Sequence, residues 1–254
     1  MAHTERVRFP GGNDQELAGR LELPAREPRA YALIAHCFTC SKDYKQIRRI
    51  AATLAEHGYG ALSFDFTGLG ESEGDFAATS FSSNLADLVA AAAYLERNHA
   101  APALLVGHSL GGAAVLAAAE RLPAVRAVAT IAAPSNLEHL ARRLDHAADR
   151  AEEPAAFAIR IGGRDVRVGR QLISDLRAQN LHALVAALER PLLILHAVTD
   201  NVVGIEHARK LYELARHPKS FISLGDTDHL LLDDPAAAPW VGHLLAAWAL
   251  RYVA

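Results

Sequence analysis

Cysteine is nearly absent: Cys37 and Cys40 are the only two in 254 residues. A bridge across two intervening residues closes too short a loop to add much stability, so reduced thiols are expected rather than an extracellular disulfide scaffold. A chain of this length needs no such staple, because it buries about 70% of its unfolded surface on folding. Basic blocks are missing as well. The 26 Lys and Arg are scattered among 29 Asp and Glu for a net charge of −3, which leaves no stripe to neutralise a run of phosphates. Nucleic acid is excluded as a partner. The first residues, MAHTERVRFPGG, hold no apolar segment of the kind a secretory leader needs. Residues 101–119 form the most apolar stretch, but Gly107, His108, Ser109, Gly111 and Gly112 break its middle, which suits a buried strand, turn and helix. A cytoplasmic protein without a membrane partner is expected. Repeats and low-complexity tracts are also lacking. With 51% apolar and 22% charged residues, the composition is that of a globular chain.

Short apolar runs at 31–35, 61–66, 103–106, 125–131, 192–197 and 221–224 alternate with helical stretches at 44–56, 82–97, 110–121, 205–216 and 240–252. Runs such as ALLVG and PLLILHA are apolar throughout, as strands buried on both faces must be. Their alternation with helices predicts an α/β fold, a mostly parallel twisted sheet with helices on both faces. Residues 7–23, with GGNDQ in their middle, read as an antiparallel edge hairpin. One stretch breaks the rhythm. Residues 135–190 hold helical signals split by a hairpin over 157–168 that turns at Gly162-Gly163. The expectation is one domain over 1–254, with 135–190 as a small cap-like insertion above the strand C-termini, where ligands bind in such sheets. A structural excursion or a homodimer contact is the other reading of that insertion.

The sharpest chemical signal is Gly107-His108-Ser109-Leu110-Gly111, between the strand ALLV and the helix AAVLAAAERL. This is G-x-S-x-G in the context the motif requires, strand then sharp turn then helix. The serine must be held in strained backbone so that its hydroxyl stands free above the sheet edge. Residues two before and two after then crowd each other, and glycine at 107 and 111 removes the side chains that would clash. The helix N-terminus aims free N–H groups at whatever oxyanion forms beside Ser109.

A serine hydroxyl is a weak nucleophile near neutral pH and needs a base, which in turn needs an orienting carboxylate. In this architecture the chain order is Ser, acid, His. Asp200 is the expected acid, in the loop AVTDNVVG after the strand LLILHAV. His229 is the expected base, in the loop GDTDHLL after the strand SFISL. Thirteen histidines are available, so position has to decide. His196 lies in a strand, His217 ends a helix, His243 falls mid-helix, and His108 points away from the Ser109 hydroxyl. Asp226 and Asp228 rival Asp200 but sit too near His229 in sequence to reach its far nitrogen easily. The expected oxyanion donors are the amides of Leu110, after the nucleophile, and Phe38, in the loop after the strand YALIA.

Cys37-x-x-Cys40 lies in that same loop. Zinc would need two further clustered ligands, and no second CxxC, HxxxH or HExxH occurs, so no metal is expected. Small packing residues are the favoured role, and a thiol redox pair is the rival. Gly68-Leu69-Gly70 and Gly74 have the wrong spacing for a dinucleotide loop, so no cofactor is expected.

Asp65-Phe66-Thr67-Gly68-Leu69-Gly70-Glu71-Ser72-Glu73-Gly74, Gly107-His108-Ser109-Leu110-Gly111-Gly112, Thr199-Asp200 and Asp228-His229-Leu230 together resemble the α/β-hydrolase superfamily along nearly the whole chain. The loop His36-Cys37-Phe38-Thr39-Cys40-Ser41-Lys42-Asp43 is similar, more narrowly, to the hydrolase half of bifunctional proteins in which an α/β-hydrolase precedes an OsmC-type domain. Many α/β-hydrolases have His-Gly where this chain has His36-Cys37, and the departure agrees with the narrower group. An OsmC-type domain needs well over a hundred further residues, so its peroxide chemistry is not carried over. The resemblance implies a serine hydrolase with its triad on Ser109, Asp200 and His229 and oxyanion donors at Phe38 and Leu110. The expected activity is cleavage of small-molecule carboxylic esters, of short to medium acyl length, without metal or cofactor. A thiol redox protein using Cys37 and Cys40, or a non-catalytic binding module on the same fold, are the alternatives.

Overall fold

Strands that are apolar on both sides need a helical layer on each. The chain meets that need in a computed structural model, which describes residues 2–153, 155–161 and 164–253. In chain order the first half comprises β1 (His3–Pro10), β2 (Glu16–Leu23), β3 (Ala30–Ala35), α1 (Lys45–Glu56), β4 (Tyr59–Phe64), α2 (Phe81–Asn98), β5 (Pro102–His108) and α3 (Leu110–Ala118). The second half comprises β6 (Ala127–Ile131), α4 (Glu138–Ala148), β7 (Ala156–Ile161), β8 (Arg164–Gly169), α5 (Arg170–Ala178), α6 (Leu181–Ala187), β9 (Leu192–His196), α7 (Ile205–Leu214), β10 (Lys219–Ser223) and α8 (Ala237–Val253).

Eight strands form one sheet in the order β1-β2-β4-β3-β5-β6-β9-β10. The pairs from β4 to β10 are parallel, and β1 and β2 form the expected antiparallel hairpin at one edge. Period-2 alternation sorts the side chains into two cores. Leu33, Leu62, Leu105, Val128 and Ile194 face the core shared with α2, α3 and α7. Ala32, Ile34, Leu104, Ala129, Leu193 and Leu195 face the core shared with α1 and α8. This is the α/β-hydrolase architecture expected from the sequence.

The elements differ from the sequence reading mainly at their ends. The strand expected at 61–66 runs over Tyr59–Phe64. The Asp65 amide still donates to the Ala18 carbonyl of β2 at 2.9 Å, while its carboxylate accepts the amides of Lys42 and Glu71 as the chain turns into the following loop. The helix expected to 121 stops at Ala118 and tightens into a 3₁₀ turn over Ala119–Arg121. Within 135–190 lie α4, the antiparallel pair β7–β8, α5 and α6. The expected turn residues Gly162 and Gly163 lie outside the described residues.

Parallel pairing puts the C-terminal ends of β3, β5, β9 and β10 on one edge, so the residues that follow them are neighbours in space although up to 190 positions apart. At the β5–α3 turn the backbones approach closely. A Cβ on Gly107 would stand 2.2 Å from the Gly111 carbonyl oxygen, and one on Gly111 would stand 2.3 Å from that of Ala35. Both neighbours are backbone and cannot swing aside. Gly107→Ala is therefore expected to cost about 1–3 kcal/mol through overpacking. Urea denaturation measures this, and an unchanged midpoint would contradict the close approach.

Candidate active site

The strand-to-helix turn after β5 holds Ser109 at φ 54°, ψ −119°, a conformation that non-glycine residues rarely adopt. Its amide donates to the Ile131 carbonyl at 2.8 Å, which ties the turn to the end of β6. Thr39, Ala132 and Leu231 also have positive φ and lie in the loops following β3, β6 and β10. Backbone strain is thus concentrated along one rim.

Three side chains meet there. His229 Nδ1–H donates to Asp200 Oδ2 at 2.7 Å, which leaves Nε2 to accept from the Ser109 hydroxyl at 3.0 Å. Burial pushes the Asp200 carboxyl up, but hydrogen bonds from His229 and from the Val203 and Val202 amides outweigh it and hold the group below its usual range. Both amides reach Oδ1 at 2.9 Å. Asp200 is therefore an ionised, fully engaged acceptor, and this fixes the histidine tautomer.

The amides of Leu110 and Phe38 have no protein acceptor among the described residues. Leu110 opens α3, where the first four N–H groups lack partners within the helix. Phe38 lies in a tight turn, closed by the Cys40 amide donating to the Cys37 carbonyl at 3.1 Å, with Thr39 at φ 62°. That turn corrects one sequence expectation. Cys37 and Cys40 form a disulfide instead of remaining free thiols, because the turn brings their Cα atoms to 5.3 Å, within bonding range. The loop is anchored from below by Lys42. Its backbone amide donates to Asp65 Oδ1 at 2.6 Å, and its buried ammonium donates to Asp65, Glu71 and Asp43 at 2.8, 2.7 and 3.0 Å. Burial alone would lower the Lys42 pKa, but the three carboxylates raise it and keep the charge in place.

Several positioning residues carried no sequence signal. The His108 ring, beside the serine in the chain, turns to the other side of the rim and donates from Nε2 to the His229 carbonyl at 2.8 Å. Asp228 binds its own loop: it accepts the Leu230 and Asp233 amides at 3.2 and 3.1 Å and that of Leu232 as well. His196 is buried and donates to the Val203 carbonyl at 2.7 Å, which holds the loop that carries Asp200. Only a folded chain reveals such contacts, since each joins a side chain to backbone from another segment or to its own turn.

A cavity of about 1160 Å³ opens over Ser109 and His229. One side is formed by the loop from Cys37 to Lys45, the other by α4 and β7 through residues such as Leu140, Leu144, Ala147 and Ile159. Among the described residues no three His, Cys, Asp or Glu side chains are grouped to hold a metal ion. No helix among them is long and apolar enough to cross a membrane.

Two predictions follow from these contacts. Denatured but unreduced protein should show no free thiol with a colorimetric disulfide reagent, and two after reduction. The second concerns pH. Burial, with the nearby His229 charge, lowers the His108 pKa from 6.5 to about 4. Between those values the unfolded chain takes up a proton that the folded chain refuses. The His108 contribution to stability therefore falls as pH drops through that window and levels off below it. His108→Asn should flatten the slope by up to ~1.4 kcal/mol per pH unit, as read by urea denaturation at several pH values.

Residues 26–152 match the Hydrolase_4 family, described as serine aminopeptidase, S33. The crystal structure of the esterase domain of a Rhodothermus marinus protein is 45% identical, with a TM-score of 0.83 over 99% of this chain and 100% of that one. Est1E from Butyrivibrio proteoclasticus, solved with ferulic acid bound, is 19% identical with a TM-score of 0.82 over 96% and 98% of the two chains, a likeness of fold alone. The uncharacterized protein YfhR of Salmonella typhimurium is 27% identical over 237 residues, 90% of this chain and 75% of YfhR. A family match over half the chain, together with a 45% identical solved esterase domain, places this protein in the Hydrolase_4 (serine aminopeptidase, S33) family, as a hydrolase of α/β-hydrolase fold.

Proposed function

We propose that the chain is a serine hydrolase that cleaves small-molecule carboxylic esters, of short to medium acyl length, through an acyl-enzyme at Ser109. The observation that carries this reading is the chain of contacts from Ser109 through His229 to Asp200 beside two amides that have no protein acceptor among the described residues. His229 Nε2 takes the hydroxyl proton as Ser109 Oγ attacks the ester carbonyl. Asp200 stabilises the imidazolium that forms, and the Phe38 and Leu110 amides donate to the oxyanion. The tetrahedral intermediate collapses, the C–O bond to the alcohol breaks, and His229 returns its proton to the leaving oxygen. A water molecule then attacks the acyl carbonyl with its proton passing to His229, and the acid leaves as Ser109 regains its hydrogen.

The 45% identical Rhodothermus relative, an esterase domain, supports ester over amide chemistry. The family description names an aminopeptidase, and such an enzyme needs acidic groups to hold a substrate ammonium. Among the described residues lining the cavity Asp43 is the one carboxylate, and Lys42 already engages it at 3.0 Å. That favours esters. Residues 135–190 act as a cap in this proposal, since α4 and β7 wall the cavity. The proposal also keeps the single-domain organisation over 1–254, a cytoplasmic setting, a homodimer, and the narrower kinship with the hydrolase half of hydrolase/OsmC-type proteins.

A fluorophosphonate probe should label Ser109, as mapped by peptide mass spectrometry. Ser109→Ala should lower p-nitrophenyl butyrate turnover by at least ~10³, because only binding and oxyanion effects remain without the nucleophile. Undiminished esterase activity in that variant would sink the reading, and loss of activity in a Cys37→Ala variant alone would favour thiol chemistry.

A further inference from the structure

The permanent charges around the cavity are sorted by sign in a way that catalysis does not require. Helix α4 turns one face to the cavity: His139, Leu140, Arg143, Leu144 and Ala147 line it, and Arg150 continues the same stripe just past the helix end. The acidic residues of α4 are engaged elsewhere. Glu138 accepts from Arg142 at 2.9 Å, and Asp145 pairs with Arg177 of α5. Arg143 and Arg150 are left with no carboxylate or carbonyl partner among the described residues. Lys45, at the start of α1, also lines the cavity and is likewise unpaired among them. The single carboxylate on these walls, Asp43, accepts from Lys42. A chain of net charge −3 thus has three exposed cations without a carboxylate partner among the described residues on the walls of the cavity that reaches Ser109. Low-dielectric apolar walls focus such a field into the cleft.

We infer that Arg143 and Arg150, together with Lys45, are specificity-determining residues that select esters whose chain ends in a carboxylate. This rests on the hydrolase reading above and deepens it. A guanidinium offers two parallel N–H donors matched to a carboxylate. Arg143 lies in α4 and Arg150 two residues past its end, seven positions apart or roughly 10 Å at helical rise, with Leu144 and Ala147 between them on the cavity wall. The matching substrate has an apolar arm of several carbons along α4 and an anionic terminus at the arginines. Hemiesters of dicarboxylic acids have that form.

The test compares matched pairs at low ionic strength. One pair is mono-p-nitrophenyl suberate against p-nitrophenyl octanoate, with the carboxylate on the acyl arm. The other is 6-butyryloxyhexanoate against hexyl butyrate, with the carboxylate on the alcohol arm. On at least one arm the charged ester is expected to have a kcat/KM about tenfold higher than its neutral partner, carried mainly by KM. Raising the salt from 20 to 500 mM should shrink that ratio, since it screens solvent-reachable charge. In Arg143→Gln/Arg150→Gln the ratio should fall toward one, and adding Lys45→Gln should bring it to about one. Arg142→Gln, on the outer side of the same helix, should keep it. The salt series on the unmodified protein reads the same effect if the double variant fails to fold. Equal or lower turnover of both charged esters, with Ser109 still labelled and neutral esters still cleaved, overturns this inference and leaves the hydrolase reading standing. Failure of every ester together with an unlabelled Ser109 overturns both.

Discussion

The strained turn at Ser109 is the constraint on which the rest of the site depends. A serine held at φ 54° lifts its hydroxyl clear of the sheet edge only if the segments on either side of it can nearly touch. Glycine at 107 and 111 allows this, because a Cβ at either place would overlap backbone atoms of α3 or of the end of β3. The same contact sets α3 so that its first free amide, that of Leu110, lies beside the serine. It also draws in the loop after β3, which brings the Phe38 amide to the same rim. Packing and electrostatics are therefore one feature here, since the close approach that strains the backbone also directs the donors.

Around that turn the structure spends buried polar groups on fixing loops. Asp200 takes three donors, Asp65 takes the Lys42 and Glu71 amides and the Lys42 ammonium, and Asp228 takes the amides of its own loop. Each satisfied carboxylate pins a segment that would otherwise be free to move, and preorganisation of this kind gives an acyl-transfer site its advantage over water. His108 and His196 work in the opposite charge state. Burial keeps both neutral, and each donates one N–H to a carbonyl of a neighbouring loop. Ionised acids and neutral imidazoles, alternating around one rim, leave His229 as the histidine whose two nitrogens reach Ser109 and Asp200.

The cavity adds a second layer to this order. Apolar side chains of α4 and β7 face it, and the acids of α4 pair with outward-facing arginines. The result is a space that is greasy along its length and cationic at its margin. The Cys37–Cys40 disulfide lies in the wall beside the Phe38 amide, where it narrows the conformations open to a turn that already includes a positive φ at Thr39.

Much of this was legible in the sequence because it is local or periodic. Alternating apolar runs established the parallel sheet and its two helical layers, and a glycine-flanked serine between strand and helix marked the turn. Chain order then singled out Asp200 and His229 from many acids and thirteen histidines, because a parallel sheet delivers every strand's C-terminal loop to the same edge. Other features depended on distances between segments, which no spacing encodes. The pairing of Cys37 with Cys40 hinged on a left-handed residue at Thr39. The reach of His108 to the His229 carbonyl joins residues 121 positions apart. Which arginines of α4 face the cavity depended on how that helix packs against α5 and β7. The sequence by itself determined which chemical groups are present and at which edge of the sheet they emerge, through short-range sterics and side-chain periodicity. Tertiary structure alone decided which of them touch, because contact between distant segments is set by how the two cores pack.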